Sequence, residues 1–176
     1  MSLQESSPES LGTVVLRPFE LRADREAVIR CVAALQDYER TLEPSLPPGA
    51  HIARRYVEAM LQRCAAYQGR IFVAEVDREV VAFVCVLARI PETAVDEYSR
   101  PHAAIGELFV DHRRRGWGLG RRLLELAEAH ARERGADRLR VQVLAGNEPA
   151  RSLYAGFGFE DRLVELEKRL PPAEDV

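Results

Sequence analysis

Apolar residues recur along this chain with two different periods, and the switches between them mark out its elements. The run "TVVLRPF" is rich in β-branched residues and stops at Pro18, which predicts a strand. Residues 23–40 then set Ala27, Val28, Cys31, Leu35 and Tyr38 at helical spacing, and "LEPSLPPG" interrupts the pattern as a loop. Over 50–68 the helical period returns, with Ile52, Tyr56, Val57, Met60, Leu61 and Cys64 on one stripe and Gly69 as the expected stop. "RIFVAEV" and "VVAFVCVLARI" are apolar runs parted by the polar "DRE", the pattern of two antiparallel strands joined by a tight turn.

The second half repeats the alternation. A loop over 91–101 carries Glu92, Asp96 and Glu97, after which "AAIGELFV" is a strand and 119–134 a helix closed by Gly135. "DRLRVQVLAG" alternates at Leu139, Val141 and Val143 as a half-buried strand does. Asn147 and Pro149 signal the start of a helix through "PARSLYAGF", and "DRLVELEKRL", though mixed in period, is expected to be a last strand. The order βααβββαβαβ implies an α/β fold: helices interleaved with a mixed, mostly antiparallel sheet that runs parallel where a helix intervenes.

Length, composition and charge narrow the class. At 176 residues the chain suits one domain, expected over 12–170 between solvated tails at 1–11 and 171–176. A net charge of -3 gives no global footprint of a nucleic-acid binder. The three cysteines, Cys31, Cys64 and Cys85, lack disulfide or metal-ligand spacing, as do His51, His102 and His130, so no metal is expected and reduced thiols in a cytoplasmic protein are. The start of the chain does not read as a signal peptide and no apolar run is long enough to span a bilayer, so no membrane association is expected.

One stretch breaks the ordinary composition. In "HRRRGWGLGRRLL", glycines at 116, 118 and 120 lie between a strand and a helix, with Arg113, Arg114, Arg115, Arg121 and Arg122 around them. Glycines permit positive φ and bare backbone, and the helix start offers unpaired N–H groups at a positive dipole end, a combination that binds phosphate. A dinucleotide fingerprint needs a third glycine where Arg121 stands, and a P-loop needs Gly-Lys-Ser/Thr, so neither fits. A solvated basic turn would carry the same residues.

What stands there is Arg115-Gly116-Trp117-Gly118-Leu119-Gly120, and downstream "NEPARSLYAGFGF" places Asn147, Ala150, Tyr154, Gly158 and Phe159. Together these resemble the pyrophosphate motif and the pattern after the fifth strand in the GNAT superfamily of N-acetyltransferases. The resemblance implies a GNAT-like sheet with splayed fourth and fifth strands, acetyl-CoA as co-substrate, and a primary amine of a small molecule or peptide as acceptor. It also implies that a homodimer is the state to expect. A non-catalytic acyl-CoA-sensing module of the same fold is the alternative.

The resemblance also implies roles. Cofactor contacts fall to Arg115, Gly116, Trp117, Gly118, Leu119, Gly120 and Arg121 at the corner, to backbone near Phe109 and Val110 at the splay, and to Asn147. Trp117 fills a variable slot in which backbone binds. Tyr154 is the expected acid for the departing thiolate, against the plainer role of a core aromatic. Glu107 is the candidate acceptor of the amine's proton, directly or through water, against a carboxylate on the sheet's solvent face, and Asn147 would look the same as a helix cap. The acceptor side carries Asp37, Tyr38, Glu39, Glu43, Asp96 and Glu97, which would welcome a cation such as a polyamine or a basic amino terminus.

Overall fold

The computed structural model describes residues 13–91 and 101–168. The elements follow as β1 (Val14–Pro18), α1 (Leu21–Leu42), α2 (Gly49–Ala66), β2 (Arg70–Val76), β3 (Glu79–Ile90), β4 (His102–Val110), α3 (Leu119–Glu133), β5 (Leu139–Val141) and α4 (Glu148–Phe157). One sheet holds the strands in chain order, antiparallel from β1 to β4 and parallel between β4 and β5. That parallel pair exists because α3 crosses over between them. This is the mixed, mostly antiparallel α/β arrangement that the sequence pattern predicts.

The period-two pattern of β3 explains how the two layers are glued to the sheet. Val84 and Val86 face α3, against Leu123, Leu124 and Ala127, whereas Phe83 and Cys85 face α1 and α2, against Val28, Val57 and Met60. Both faces of β3 are buried, so its sequence reads as a continuous apolar run. Between β2 and β3, Asp77 and Arg78 both take positive φ, 50° and 67°, the two-residue turn whose twist suits a hairpin. The chain end of α1's first turn is pinned by charge: Asp24, 2% exposed, accepts from Arg17 at 2.6 and 2.9 Å and from the Glu20 N–H at 2.8 Å. Arg17 reaches on to Glu75 at 2.7 Å, tying β1, α1 and β2 together.

Two expectations are corrected. Residues 161–168 are exposed and form no strand, so "DRLVELEKRL" does not add the expected last β element over its described part. Leu163, Val164 and Leu166 are 82%, 75% and 89% exposed. β5, three residues long, pairs with β4 and with no described residue of this segment. The strand expected through "DRLRVQVLAG" is likewise confined to Leu139–Val141, whose pairing with β4 stops at Ile105. The expected tails at 1–11 and 171–176, and the acidic residues Glu92, Asp96 and Glu97, lie outside the described residues.

Candidate active site

The site begins with a register fault. Cys85 of β3 lies opposite Glu107 and the next residue, Val86, opposite Ile105, so Gly106 is an extra residue on β4. On the other edge of β4 the pairing with β5 runs from Ala103 to Ile105, where it meets Val141, and ends. β4 itself continues to Val110. The two strands therefore part company at the bulge.

Which backbone groups does this free? The Asp111 N–H donates to the Val81 carbonyl at 2.8 Å, and Val110 lies opposite Ala82. Antiparallel ladders alternate, so the Phe109 N–H turns towards β3 and those of Leu108 and Val110 turn to the side that β5 has left. Of the two positions expected at the splay, Val110 offers its amide to the gap. Phe109 packs its ring against Phe83 on the α1 and α2 face, at 6.4 Å between centroids.

The glycine corner sits at the end of the same strand. Asp111 caps the short turn His112–Arg114 by accepting from the Arg113 N–H at 2.9 Å, and it also holds the Arg113 side chain at 2.8 Å. Gly116 and Gly118 then take φ of 81° and 74°, with open space where a Cβ would be. Gly118 starts α3 without a side-chain cap, and the first intrahelical bond runs from the Arg122 N–H to the Gly118 carbonyl at 3.1 Å. The N–H groups of Leu119, Gly120 and Arg121 precede it and have no helical acceptor. Gly120 serves packing: a Cβ there would come within 2.9 Å of Leu153 on α4.

The arginines are less uniform than their spacing suggests. Arg113 is held by Asp111, Arg114 stacks over Trp117 at 4.6 Å, and Arg121 donates to the Gly156 carbonyl at 3.1 Å. Arg115 lies over the ring of Tyr38 at 5.2 Å. Tyr38 in turn donates to Asn147 Oδ1 at 3.4 Å, and the same oxygen accepts the Ala150 N–H at 3.3 Å, so Asn147 caps α4. The end of α1 thus touches both the corner and the start of α4.

The titratable centre lies on the α1 and α2 face. Glu107 is 5% exposed; its Oε1 accepts from the Tyr56 hydroxyl and from Arg63 at 2.9 Å, and its Oε2 is buried without a partner. It is not a carboxylate on the solvent face. Burial, with the Glu107 charge, pushes the Tyr56 phenol up to about 12, so Tyr56 is a donor at neutral pH. Tyr154 is 8% exposed, and burial followed by the Glu39 charge pushes its phenol up to about 12. Glu39 is half-buried and its carboxyl is raised by burial, then by Glu107. Tyr154 itself packs in the core on the α3 side, with Leu119 and Leu123, and feels the charge of Glu39, which in turn feels that of Glu107. Asp37 accepts the Gly49 N–H at 2.8 Å, and Glu43 accepts from Ser45.

Tyr56 and Arg63 are the members that sequence reasoning missed. Tyr56 was one more apolar position on the α2 stripe; the available signal was Arg63, a charge seven residues on and hence on the same face. Among the described residues no group of three or more His, Cys, Asp or Glu converges to hold a metal ion, and no helix is long and apolar enough to cross a membrane.

Comparison with known proteins bears on this geometry. The model of the Acetyltransferase (GNAT) family matches residues 35–159. A mycothiol acetyltransferase from Beutenbergia cavernae is 39% identical over 74 residues, which is 40% of this chain and 25% of that protein. The chain thus spans about a quarter of the length of that curated relative. Among solved structures, a ribosomal-protein-alanine N-acetyltransferase from Brucella melitensis biovar Abortus superposes with a TM-score of 0.64 at 21% identity, covering 90% of this chain and 100% of that one. A predicted acetyltransferase from Clostridium acetobutylicum, solved with acetyl-CoA, gives 0.67 at 15% identity over 89% of this chain and 96% of that one. At these identities the two structures speak for the fold.

Proposed function

The chain belongs to the GNAT acetyltransferase family, and from that premise we propose that it is an enzyme moving an acetyl group from acetyl-CoA to a primary amine of a small molecule or peptide. The observation that carries this reading is the early end of the β4–β5 pairing at Ile105 and Val141, with the unpaired start of α3 close along the chain. The gap is the place for the pantetheine arm and thioester, and the corner is the place for the diphosphate. Acetyl-CoA is a co-substrate here and no metal is invoked.

The corner residues suit a diphosphate for a physical reason. Open space at Gly116 and Gly118 leaves their backbone uncovered, and the amides of Leu119, Gly120 and Arg121 add the positive end of α3. Arg115, Trp117 and Arg121 flank it with cationic and flat surfaces. In the gap, the Val110 and Leu108 amides are preorganised donors for the thioester carbonyl oxygen, an arrangement whose loss typically costs about 3 kcal/mol. Asn147, already the α4 cap, would border the arm.

Transfer requires an uncharged amine, and an amine with a pKa near 10 is almost wholly protonated at neutral pH. In our reading Glu107 takes that proton at Oε2, the oxygen left without a partner, while Tyr56 and Arg63 fix the carboxylate through Oε1. The amine nitrogen attacks the carbonyl carbon, the carbon–sulfur bond breaks, and Tyr154, kept protonated by burial, donates to the thiolate. Glu107 is balanced by Arg63, so it is Glu39 that adds a carboxylate to the acceptor side and favours a cationic acceptor.

A test is direct. The purified chain is incubated with acetyl-CoA and a panel of amines and peptides, free thiol is followed, and the product is weighed. Thiol release with a gain of one acetyl group on an amine supports the reading. Coenzyme binding without release across the panel would favour the alternative, a non-catalytic acyl-CoA-sensing module, and a different mass gain would change the donor.

A further inference from the structure

Two of the three cysteines, separated in sequence, meet in space. Cys64, half-buried near the end of α2, and Cys85, fully buried in β3, hold their sulfurs 3.5 Å apart. Their meeting depends on Gly69. A Cβ there would come within 2.6 Å of the Val86 carbonyl oxygen and 2.9 Å of the Cys64 Cα, so a larger residue would force the helix end away from β3. Gln68, with φ 50°, and the Gly69 N–H, which donates to the Cys64 carbonyl at 2.7 Å, close the helix over this contact.

The pair is reachable from one side. A cavity of about 320 Å³ is lined by Pro18, Phe19, Leu61, Cys64, Gly69, Arg70 and Ile71, so Cys64 forms part of its wall while Cys85 lies behind. The hydrogen bond between the two sulfurs lowers the Cys64 thiol against the opposing effect of burial, and with burial it raises that of Cys85. Cys31, by contrast, is buried and pushed up to about 12, chiefly by burial. One thiol is accessible and more acidic, and a second stands directly behind it. That is the arrangement of an attacking and a resolving cysteine.

We propose that Cys64 and Cys85 form a redox modification site that takes a small hydroperoxide and closes to an intramolecular disulfide. The Cys64 thiolate attacks the peroxide, the oxygen–oxygen bond breaks, and hydrogen peroxide leaves one oxygen on Cys64 as a sulfenic acid and releases the other as hydroxide, which becomes water. The Cys85 sulfur then attacks the Cys64 sulfur, the sulfur–oxygen bond breaks, and a second water leaves. Two thiols lose two electrons and the peroxide gains them. Bond formation draws the sulfurs from 3.5 Å to about 2.05 Å. Cys64 adjoins Arg63, and Cys85 lies opposite Glu107. Closure therefore disturbs the Arg63–Glu107 pair and slows acetyl transfer, a consequence that rests on the functional reading above.

The test treats the full chain with hydrogen peroxide, blocks remaining thiols, and compares intact and peptide masses. The expected result is loss of two hydrogen masses, a Cys64–Cys85 cross-linked peptide, Cys31 still free, and full reversal by dithiothreitol. Cys64→Ser, at the half-buried position, should show no cross-link. Three free thiols, a cross-link between chains, or over-oxidised Cys64 beside a free Cys85 would overturn the site. Acetyl transfer by the cross-linked chain should fall by up to about 10²-fold, the scale on which an ångström of displacement acts on a reaction. Unchanged transfer after cross-linking would overturn the coupling. No transfer by the reduced chain would count against the function and leave the thiol result standing by itself.

Discussion

The guanidinium of Arg63 on α2 donates at 2.9 Å to Oε1 of Glu107 on β4, and so orients a carboxylate whose other oxygen has no partner. If Oε2 takes the proton of the acceptor amine, Glu107→Gln keeps the shape and loses the chemistry. Its kcat should fall about 10²–10⁴-fold while affinity for acetyl-CoA stays the same, measured by steady-state kinetics beside a binding titration. Arg63→Met leaves the buried carboxylate without its cation and should cost about 2 kcal/mol in urea unfolding. An unchanged kcat in Glu107→Gln would remove Glu107 from the chemistry.

Tyr154 gives a second, separable prediction. Burial keeps its phenol protonated until the pH nears about 12, so the parent's kcat should show no alkaline decline from this group over the ordinary assay range. Tyr154→Phe removes the donor but keeps the ring that packs at 5.5 Å from Phe159. Its kcat should drop about 10²-fold or more with unaltered thermal stability. A drop in melting temperature with full activity would assign Tyr154 to the core alone.

At Gly118 the expected penalty is conformational, because the space around a Cβ is open and φ is 74°. An L-residue in this left-handed region costs roughly 1–2 kcal/mol, and asparagine tolerates it better than branched residues do. Affinity for acetyl-CoA should therefore fall in the order glycine, Gly118→Asn, Gly118→Val, the last by about tenfold or more, as read by calorimetry. Equal affinities would show that the corner's backbone plays no part.

Asp24 offers a pH-dependent test of the fold alone. Its carboxyl is held below the usual range, first by the hydrogen bonds from Arg17, with the Glu20 N–H adding to it and burial opposing. A lowered folded value means that the stabilisation is complete above the unfolded value, near about 3.9, and is lost as pH falls through the folded one. Asp24→Asn should lose about 3 kcal/mol at neutral pH, and its deficit against the parent should shrink as urea unfolding is repeated below about pH 4. A deficit that does not change with pH would mean that the charge on Asp24 is immaterial.

The parts of this molecule that were legible in its sequence are those written in a local period. β3 and α3 announce themselves because their own neighbours bury them, and Gly118 is readable because the left-handed start of a helix demands it. The last expected strand is absent over its described part, 161–168, for the opposite reason: the segment has residues suited to a sheet, but a strand also needs a partner edge, and its described residues stay exposed without one. At the site, Glu107, Tyr154 and Asn147 could be singled out from the motifs near them. Tyr56 and Arg63 could not, since their contact with Glu107 depends on a helix far away in sequence lying against β4 beside the bulge at Gly106. The meeting of Cys64 and Cys85 is of the same kind, for nothing in their spacing says that Gly69 lets a helix end approach a strand.

On the proposed reading, the corner amides and the β4 amides facing the gap hold one acyl-CoA molecule between them. Titrating the isotope-labelled chain with acetyl-CoA and following each backbone amide by NMR decides this. Large, saturable shifts are expected at residues 116–121 and at Leu108 and Val110, with little change along β1 and β2. Saturation that leaves those amides unmoved, or shifts gathered elsewhere on the sheet, would contradict it.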